Sequence, residues 1–126
     1  MLSFERFEAG GDLPIYQQIV LFVKRSIVSG SAPDGEELPS RRAISTLLTV
    51  NPNTVQKACR ELEEEGLITS HSGARSFITA PSERVEKLRR ELLESDVRSL
   101  LRAMRETGLS KEEALSLIDT VWEESE

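Results

Sequence analysis

Two short helical patterns joined by a tight turn are the feature that most constrains the fold of this chain. Ser40 and Asn51 are residue types that favour the helix N-cap, and Pro52 stands where proline is favoured, in the first helical turn. The first pattern is predicted to bury four apolar side chains: Ala43, Ile44, Leu47 and Leu48. The second continues to about residue 65 and ends at Gly66. The spacing therefore predicts two consecutive helices with a two-residue connection.

Two short strand-like runs follow the second helix. Residues 67–69 and 76–79 have the composition of β-strands, and the polar loop between them contains His71, Gly73 and Arg75. Helix, tight turn, helix and hairpin is the order of a winged helix-turn-helix, whose second turn-forming helix can enter a DNA major groove. We therefore expect a mainly α fold with a small β-hairpin wing.

The segment before this motif is predicted to add one helix. Asp12 is placed to cap a helix that begins near Pro14 and ends before a turn cluster at residues 30–37. The preceding residues form a lead-in with Phe4 and Phe7 as its only anchors.

Pro81 marks a boundary between a DNA-binding domain, residues 1–80, and a two-helix C-terminal region, residues 82–126. One long helix is predicted to about Thr107, and a last helix follows a capping box that begins at Ser110. One short neighbouring helix can cover the apolar stripe of the long helix only in part, so this region is expected to hold a homodimer together. The expected dimer contacts are Leu88, Leu92, Val97, Leu100, Leu101, Met104, Leu115, Ile118 and Trp122.

Charge is distributed unevenly along the chain. The formal net charge of −6 argues against a nucleic-acid partner, but local patches can oppose the net charge. Residues 38–60 contain no acid and four cations: Arg41, Arg42, Lys57 and Arg60. A helical wheel of residues 52–65 places one apolar side opposite a polar side that contains or adjoins Asn53, Thr54, Gln56, Lys57 and Arg60. Amides, hydroxyls and cations are the groups that pair with base edges and phosphates.

The counts of reactive residues exclude several classes of function. Cys59 is the only cysteine, which excludes an intrachain disulfide, and with a single histidine it makes a Cys/His zinc site implausible. The chain shows no Gly-rich phosphate loop, no Ser/His/Asp set and no metal-ligand spacing, so we expect no enzyme activity, metal or cofactor. No apolar run approaches the ~18 residues that span a bilayer. With no visible secretory signal, we expect a cytoplasmic protein without a membrane partner.

The residues of this motif carry a family resemblance. Over about residues 13–79 the chain resembles the GntR family of bacterial transcription regulators, in the stretches PIYQQI and LPSRRAISTLLTVNPNTVQKACRELEEEGLI. The short C-terminal region and the VNPNTVQKA segment are similar to the YtrA-like branch, in which two helices associated with dimerisation replace a larger effector-binding domain. The resemblance implies a homodimeric regulator of a pseudo-palindromic operator. A repressor of its own operon, often one with a membrane transporter, is the expected role.

Carried over by position, the resemblance implies a phosphate contact for Arg42 and a close backbone approach at the wing-tip Gly73. The residues expected to bind double-stranded DNA are Arg41, Arg42, Asn51, Asn53, Thr54, Gln56, Lys57, Arg60, His71, Gly73 and Arg75. His71 is equally consistent with a solvated loop residue.

The chain departs from the family pattern at several positions. Arg41 stands where the family usually has glutamate, Pro52 where many members have a base-reading arginine, and Cys59 where tyrosine is usual. In the wing, SHSGARSF replaces the usual RGxGTF, and Arg75 is expected to supply the missing contact.

Two alternatives to DNA regulation stay open. A winged helix that binds only protein would carry an apolar patch on its third helix, whereas this face is polar and cationic. A catalytic role would need a site that the sequence does not show. The sequence does not identify a small-molecule effector, and three helices and a hairpin leave little room for a cavity of about 300 Å³ within residues 14–79. Any effector is therefore expected between the C-terminal arms or at the dimer seam.

Overall fold

The computed structural model describes residues 1–71 and 75–125. The described chain is mainly helical with a small antiparallel sheet of three strands. Its elements in chain order are α1 (Ile15–Ser29), β1 (Glu37–Leu38), α2 (Arg41–Leu48), α3 (Pro52–Glu64), β2 (Ile68–Ser70), β3 (Ser76–Ile78), α4 (Ser82–Glu106) and α5 (Lys111–Glu124). The predicted mainly α winged helix-turn-helix is thus confirmed. By contacts the chain divides into two compact units, Met1–Leu88 and Arg89–Glu126.

The entrance to α1 differs from the prediction. Pro14 occupies the N-cap position and no side chain caps the helix, so the predicted Asp12 cap is wrong. Instead, the Gln18 side chain holds the segment that precedes the helix, since its Nε2 donates to the Leu13 carbonyl at 2.7 Å. The Gln18 Oε1 accepts from the Gly10 N–H at 2.9 Å.

The turn between α2 and α3 is built as the cap residues predict. Ser40 Oγ accepts from the Ala43 N–H at 3.0 Å, and Asn51 Oδ1 accepts from the Asn53 N–H at 2.7 Å. Thr49 ends α2 at φ 55° and ψ 48°, a left-handed conformation that β-branched residues rarely adopt. The short connection therefore stores backbone strain in one residue.

Both α1 and α2 pack against α3, and the core of the first unit lies among these helices and the sheet. Of the four side chains predicted to be buried on α2, Ile44 is 1% exposed, whereas Leu47 is 64% exposed. The prediction for Leu47 is wrong because this residue borders an open groove between α2 and the N-terminal segment.

The N-terminal segment belongs to the core of the first unit. Leu2 and Phe4 are both buried, and the Leu2 N–H donates to the Glu37 carbonyl at 2.9 Å. Phe4 stacks on Phe22 with the ring centroids 5.0 Å apart, and the Phe7 ring meets Phe22 edge-on at 5.6 Å. The predicted aromatic anchors are therefore present, and Leu2 is an additional one.

The sheet has the strand order β1-β3-β2, with both pairs antiparallel. Glu37 pairs with Phe77 and Ile68 pairs with Ile78, so β3 is the central strand. The hairpin was predicted, but the assignment of residues 30–37 entirely to a turn cluster is wrong at its last residue. Two residues of strand are too few to show an alternating pattern.

The long helix α4 ends one residue before the predicted Thr107, and α5 begins directly after the predicted cap at Ser110. The capping box is present, since Ser110 Oγ accepts from the Glu113 N–H at 3.1 Å and Glu113 Oε1 accepts from the Ser110 N–H at 3.0 Å. None of the helices in the described residues is both long and apolar enough to cross a membrane.

Candidate nucleic-acid interface

The two sides of α3 differ as the helical wheel predicts. Val55, Ala58 and Leu62 are fully buried, while Asn53, Lys57 and Arg60 are exposed. Thr54 and Gln56 are half-buried at the border between the sides. The exposed side of α3 therefore offers amide, hydroxyl and cationic groups together.

The N-terminal ends of α2 and α3 are both suited to a phosphate. Neither helix has an acidic residue in its first turn, so the partial positive charge of each N-terminus is not offset locally. Arg42 is exposed at the start of α2, and Asn51 is exposed at the N-cap of α3.

Arg41, one of the predicted DNA-binding residues, bonds inside the chain. Its Nη1 donates to Gln56 Oε1 at 2.6 Å. Its Nη2 donates to the Glu63 carboxylate and, at 3.2 Å, to Ser70 Oγ. The Ser70 hydroxyl in turn donates to Glu63 Oε1 at 3.0 Å. This group, which we call the Arg41 cluster (Arg41, Gln56, Glu63 and Ser70), joins α2, α3 and β2.

Lys57 lies against an aromatic ring of α1. Its Nζ is 4.0 Å from the centroid of the Tyr16 ring, a cation–π distance. Lys57 is nevertheless exposed, so its ammonium group remains accessible to an anion.

The base of the wing is held by an ion pair with β1. Arg75 Nε and Nη2 donate to the two carboxylate oxygens of Glu37 at 3.0 and 3.3 Å. The hydrogen bond from Arg75 lowers the pKa of the Glu37 carboxyl. The rings of His71 and Phe77 meet edge-on at 5.0 Å. The predicted contact at Gly73 lies outside the described residues.

Cys59 lies on the buried side of α3. The thiol is 3% exposed, and its burial raises its pKa, although the nearby Arg41 partly opposes this effect. Burial therefore disfavours the reactive thiolate and makes Cys59 a small core residue.

Concave surfaces as large as ligand sites lie in both units. The groove between the N-terminal segment and α2 has a volume of about 660 Å³. Its second wall is the lead-in, so it is not enclosed within residues 14–79, and the expectation of little room there stays a prediction. A pocket of about 320 Å³ lies in the second unit, where Arg105 and Lys111 border apolar side chains of α4 and α5. Within the described residues, His, Cys, Asp and Glu form no group of three suited to a metal ion.

Three helices, a tight turn and a sheet-based wing, with a polar third helix, define a winged helix-turn-helix DNA-binding domain. Residues 15–78 match the family of bacterial regulatory proteins called gntR, and the chain belongs to this family of transcription regulators. The chain is 34% identical to the uncharacterized HTH-type transcriptional regulator YhcF of Bacillus subtilis over 110 residues, which cover 87% of this chain and 91% of YhcF.

Two further comparisons agree. The chain is 42% identical to the HTH-type transcriptional repressor YtrA of Bacillus subtilis over 66 residues, which are 52% of this chain and 51% of YtrA. A solved structure of a GntR family transcriptional regulator from Listeria monocytogenes superposes with a TM-score of 0.78 at 31% identity. That match covers 89% of this chain and 98% of the Listeria protein.

The structure adds residues to the site that the sequence reasoning did not single out. Tyr16, Glu63 and Glu37 each bind a predicted DNA-contacting cation. The one sequence signal was Arg41 itself, which stands where the family usually has glutamate.

Proposed function

We propose that this protein is a homodimeric repressor that binds a pseudo-palindromic operator by placing α3 in the major groove. The observation that carries the proposal is the exposed polar side of α3, which gathers Asn53, Lys57 and Arg60 in an otherwise acidic chain. A major groove about 12 Å wide admits a helix, and these groups match base edges and phosphates.

The proposal assigns phosphate contacts, which position the protein on DNA, and base contacts, which recognise the sequence, to different residues. Arg42 stands at the start of α2, where the first helix of such a motif crosses the phosphate backbone. Asn53 and Gln56 stand in the first turns of α3, where side chains reach base edges. The partial positive charge at the α3 N-terminus and the residues at the base of the wing add phosphate contacts.

Exposed apolar side chains support a homodimer through the C-terminal region. Leu88, Leu92 and Met104 are buried within the single chain, so little of their surface is left for a partner. Apart from Ile118, the other side chains of the predicted dimer face and some of their neighbours are 36% to 73% exposed: Leu93, Val97, Leu100, Leu101, Leu115, Leu117, Val121 and Trp122. Ile118 is half-buried beside them. A second copy would remove this surface from water.

The role and target follow from likeness alone. The repressor YtrA supports repression, and resemblance to its branch supports control of the protein's own operon or of a transporter operon. We place the protein in the cytoplasm, with no cofactor and no catalytic role. Any small-molecule effector would bind at the C-terminal region.

Salt dependence on two duplexes tests the proposal. The operator is first selected from random duplex DNA, and affinity is then measured at several salt concentrations on the operator and on a scrambled duplex. Arg42→Ala should weaken binding to both duplexes. The slope of log affinity against log salt should become shallower by about 0.9 units per lost phosphate contact, or about 2 units in a dimer. Asn53→Ala should cost ~1–3 kcal/mol on the operator and leave the slope nearly unchanged.

A matched control separates this effect from loss of charge alone. Arg90→Ala removes an exposed cation from α4, outside the proposed interface, and should leave the slope unchanged. Equal losses for Asn53→Ala on both duplexes would show that α3 does not read sequence. Absence of binding to any duplex would favour the protein-interaction alternative.

A further inference from the structure

The side-chain amide of Gln56 is fixed in one orientation by its neighbour. Arg41 Nη1 donates to Gln56 Oε1 at 2.6 Å. A guanidinium group has only donors, so the amide must turn its oxygen, its single acceptor, toward Arg41. The amide nitrogen, with its two N–H donors, therefore lies on the side away from Arg41.

The guanidinium of Arg41 is itself held in place. Both Glu63 and Ser70 accept from its Nη2, and the Ser70 hydroxyl donates to the same Glu63 carboxylate at 3.0 Å. Bonds to an ionised partner are stronger than neutral ones, and this arrangement draws on two elements besides α2. Turning Arg41 toward DNA would break its hydrogen bonds to Gln56, Glu63 and Ser70.

We infer that Arg41 is a positioning residue that makes Gln56 read DNA through donors alone. Gln56 then favours guanine, whose N7 and O6 both accept in the major groove, or thymine, whose O4 accepts. Adenine is less suited because its single acceptor, N7, lies beside the N6 donor. The usual amide pairing with adenine needs the amide oxygen to accept from adenine N6, and this oxygen faces Arg41. The inference rests on the proposed function, because it requires α3 to lie in the major groove.

The first experiment locates the base that Gln56 reads. Full-length wild-type protein and Gln56→Ala are each selected against random duplex DNA, and the base preferences are compared position by position. Gln56→Ala should lose the preference at one base pair of each half-site. At that pair the wild type should prefer guanine or thymine over adenine by on the order of tenfold.

The second experiment tests Arg41 against a matched arginine. Arg41→Met frees the amide oxygen, so the discrimination against adenine should disappear at that base pair and the other positions should keep their preferences. Arg42→Met removes the same charge from the next residue, and it should weaken binding to every duplex without changing any preference. A change in base preference is a readout that mere loss of stability would not produce.

A third variant keeps the test open if Arg41→Met does not fold. Gln56→Glu retains the pairing with Arg41 and offers only acceptors, so the preference should move to cytosine, through its N4 donor, or to adenine, through N6.

Several results would overturn the inference. These are unchanged preferences in Gln56→Ala, the same selectivity in Arg41→Met as in Arg42→Met, or a guanine or thymine preference retained by Gln56→Glu. The wild type could instead prefer adenine and lose this preference when adenine is replaced by purine, which lacks the N6 amino group. That result would overturn the inference and leave the proposed function intact. A wild-type protein without any base preference would instead refute the proposed function.

Discussion

Truncating one half-exposed leucine should measurably weaken the proposed dimer. Leu100→Ala removes three methylene equivalents, which is about 2.4 kcal/mol of burial free energy at ~0.8 kcal/mol each. Because Leu100 is 48% exposed in the single chain, a partner can gain only about half of that, ~1.2 kcal/mol per protomer. A two-fold interface contains the residue twice, so the dimer loses ~2.4 kcal/mol and its dissociation constant rises about 60-fold.

Sedimentation equilibrium over a range of concentrations measures this constant directly. Leu47→Ala is the matched control, because Leu47 is a leucine with 64% exposure that lies on α2, outside the proposed dimer face. It should leave the dissociation constant unchanged. The assignment of the dimer to residues 82–126 is refuted if Leu100→Ala dimerises as tightly as wild type, or if Leu47→Ala weakens the dimer equally.

Three further substitutions test how the motif and the wing are held. Ser40→Ala removes the N-cap of α2 and should lower the free energy of unfolding by ~1 kcal/mol in urea denaturation; no loss would contradict the cap. Thr49→Asn should raise this free energy by about 1 kcal/mol, because asparagine tolerates the left-handed conformation; an unchanged value would argue against strain there. The pKa of Glu37 is lowered below 4.5 in the folded state, so its ion pair with Arg75 stabilises the protein above that pH and the stabilisation is lost as pH falls through the lowered pKa. Glu37→Gln should therefore reduce the difference in unfolding free energy between neutral and strongly acid pH, and an unchanged difference would show that the pair adds no stability.

The helices were predictable because their signals are local. Asn51 and Pro52 fix the start of α3 within one turn of chain, and the capping box at Ser110 does the same for α5. The apolar spacing of α3 also separates its buried side from its exposed side. These features depend on residues within a few positions of each other, which a single sequence displays.

The missed features depend on residues far apart in the chain. The strand β1 exists because Glu37 pairs with Phe77, forty residues later. Leu47 is exposed because the N-terminal segment leaves a groove beside α2, which the periodicity of α2 alone does not reveal. The partners of Arg41 on α3 and β2 lie 15 to 29 residues away, so its hydrogen bonds could not be read from its neighbours.

The same ion pairs set the charge that is available for DNA. The chain is acidic overall, and at physiological salt a charge acts over only about 8 Å, so attraction depends on cations at the surface of contact. Arg41 and Arg75 are paired with glutamates, which leaves Arg42, Lys57 and Arg60 as the cations of the predicted interface without an acidic partner among the described residues. Six such cations in a dimer predict a slope of log affinity against log salt no steeper than about −5 on the operator. If Arg41 and Arg75 of both protomers also contacted phosphates, ten cations would steepen the slope to about −9. A slope near the steeper value, measured by titrating the operator at several salt concentrations, would show that the Arg41 and Arg75 pairs open on binding. A slope of about −5 or shallower would mean that both arginines remain bound to their glutamates and stabilise the fold.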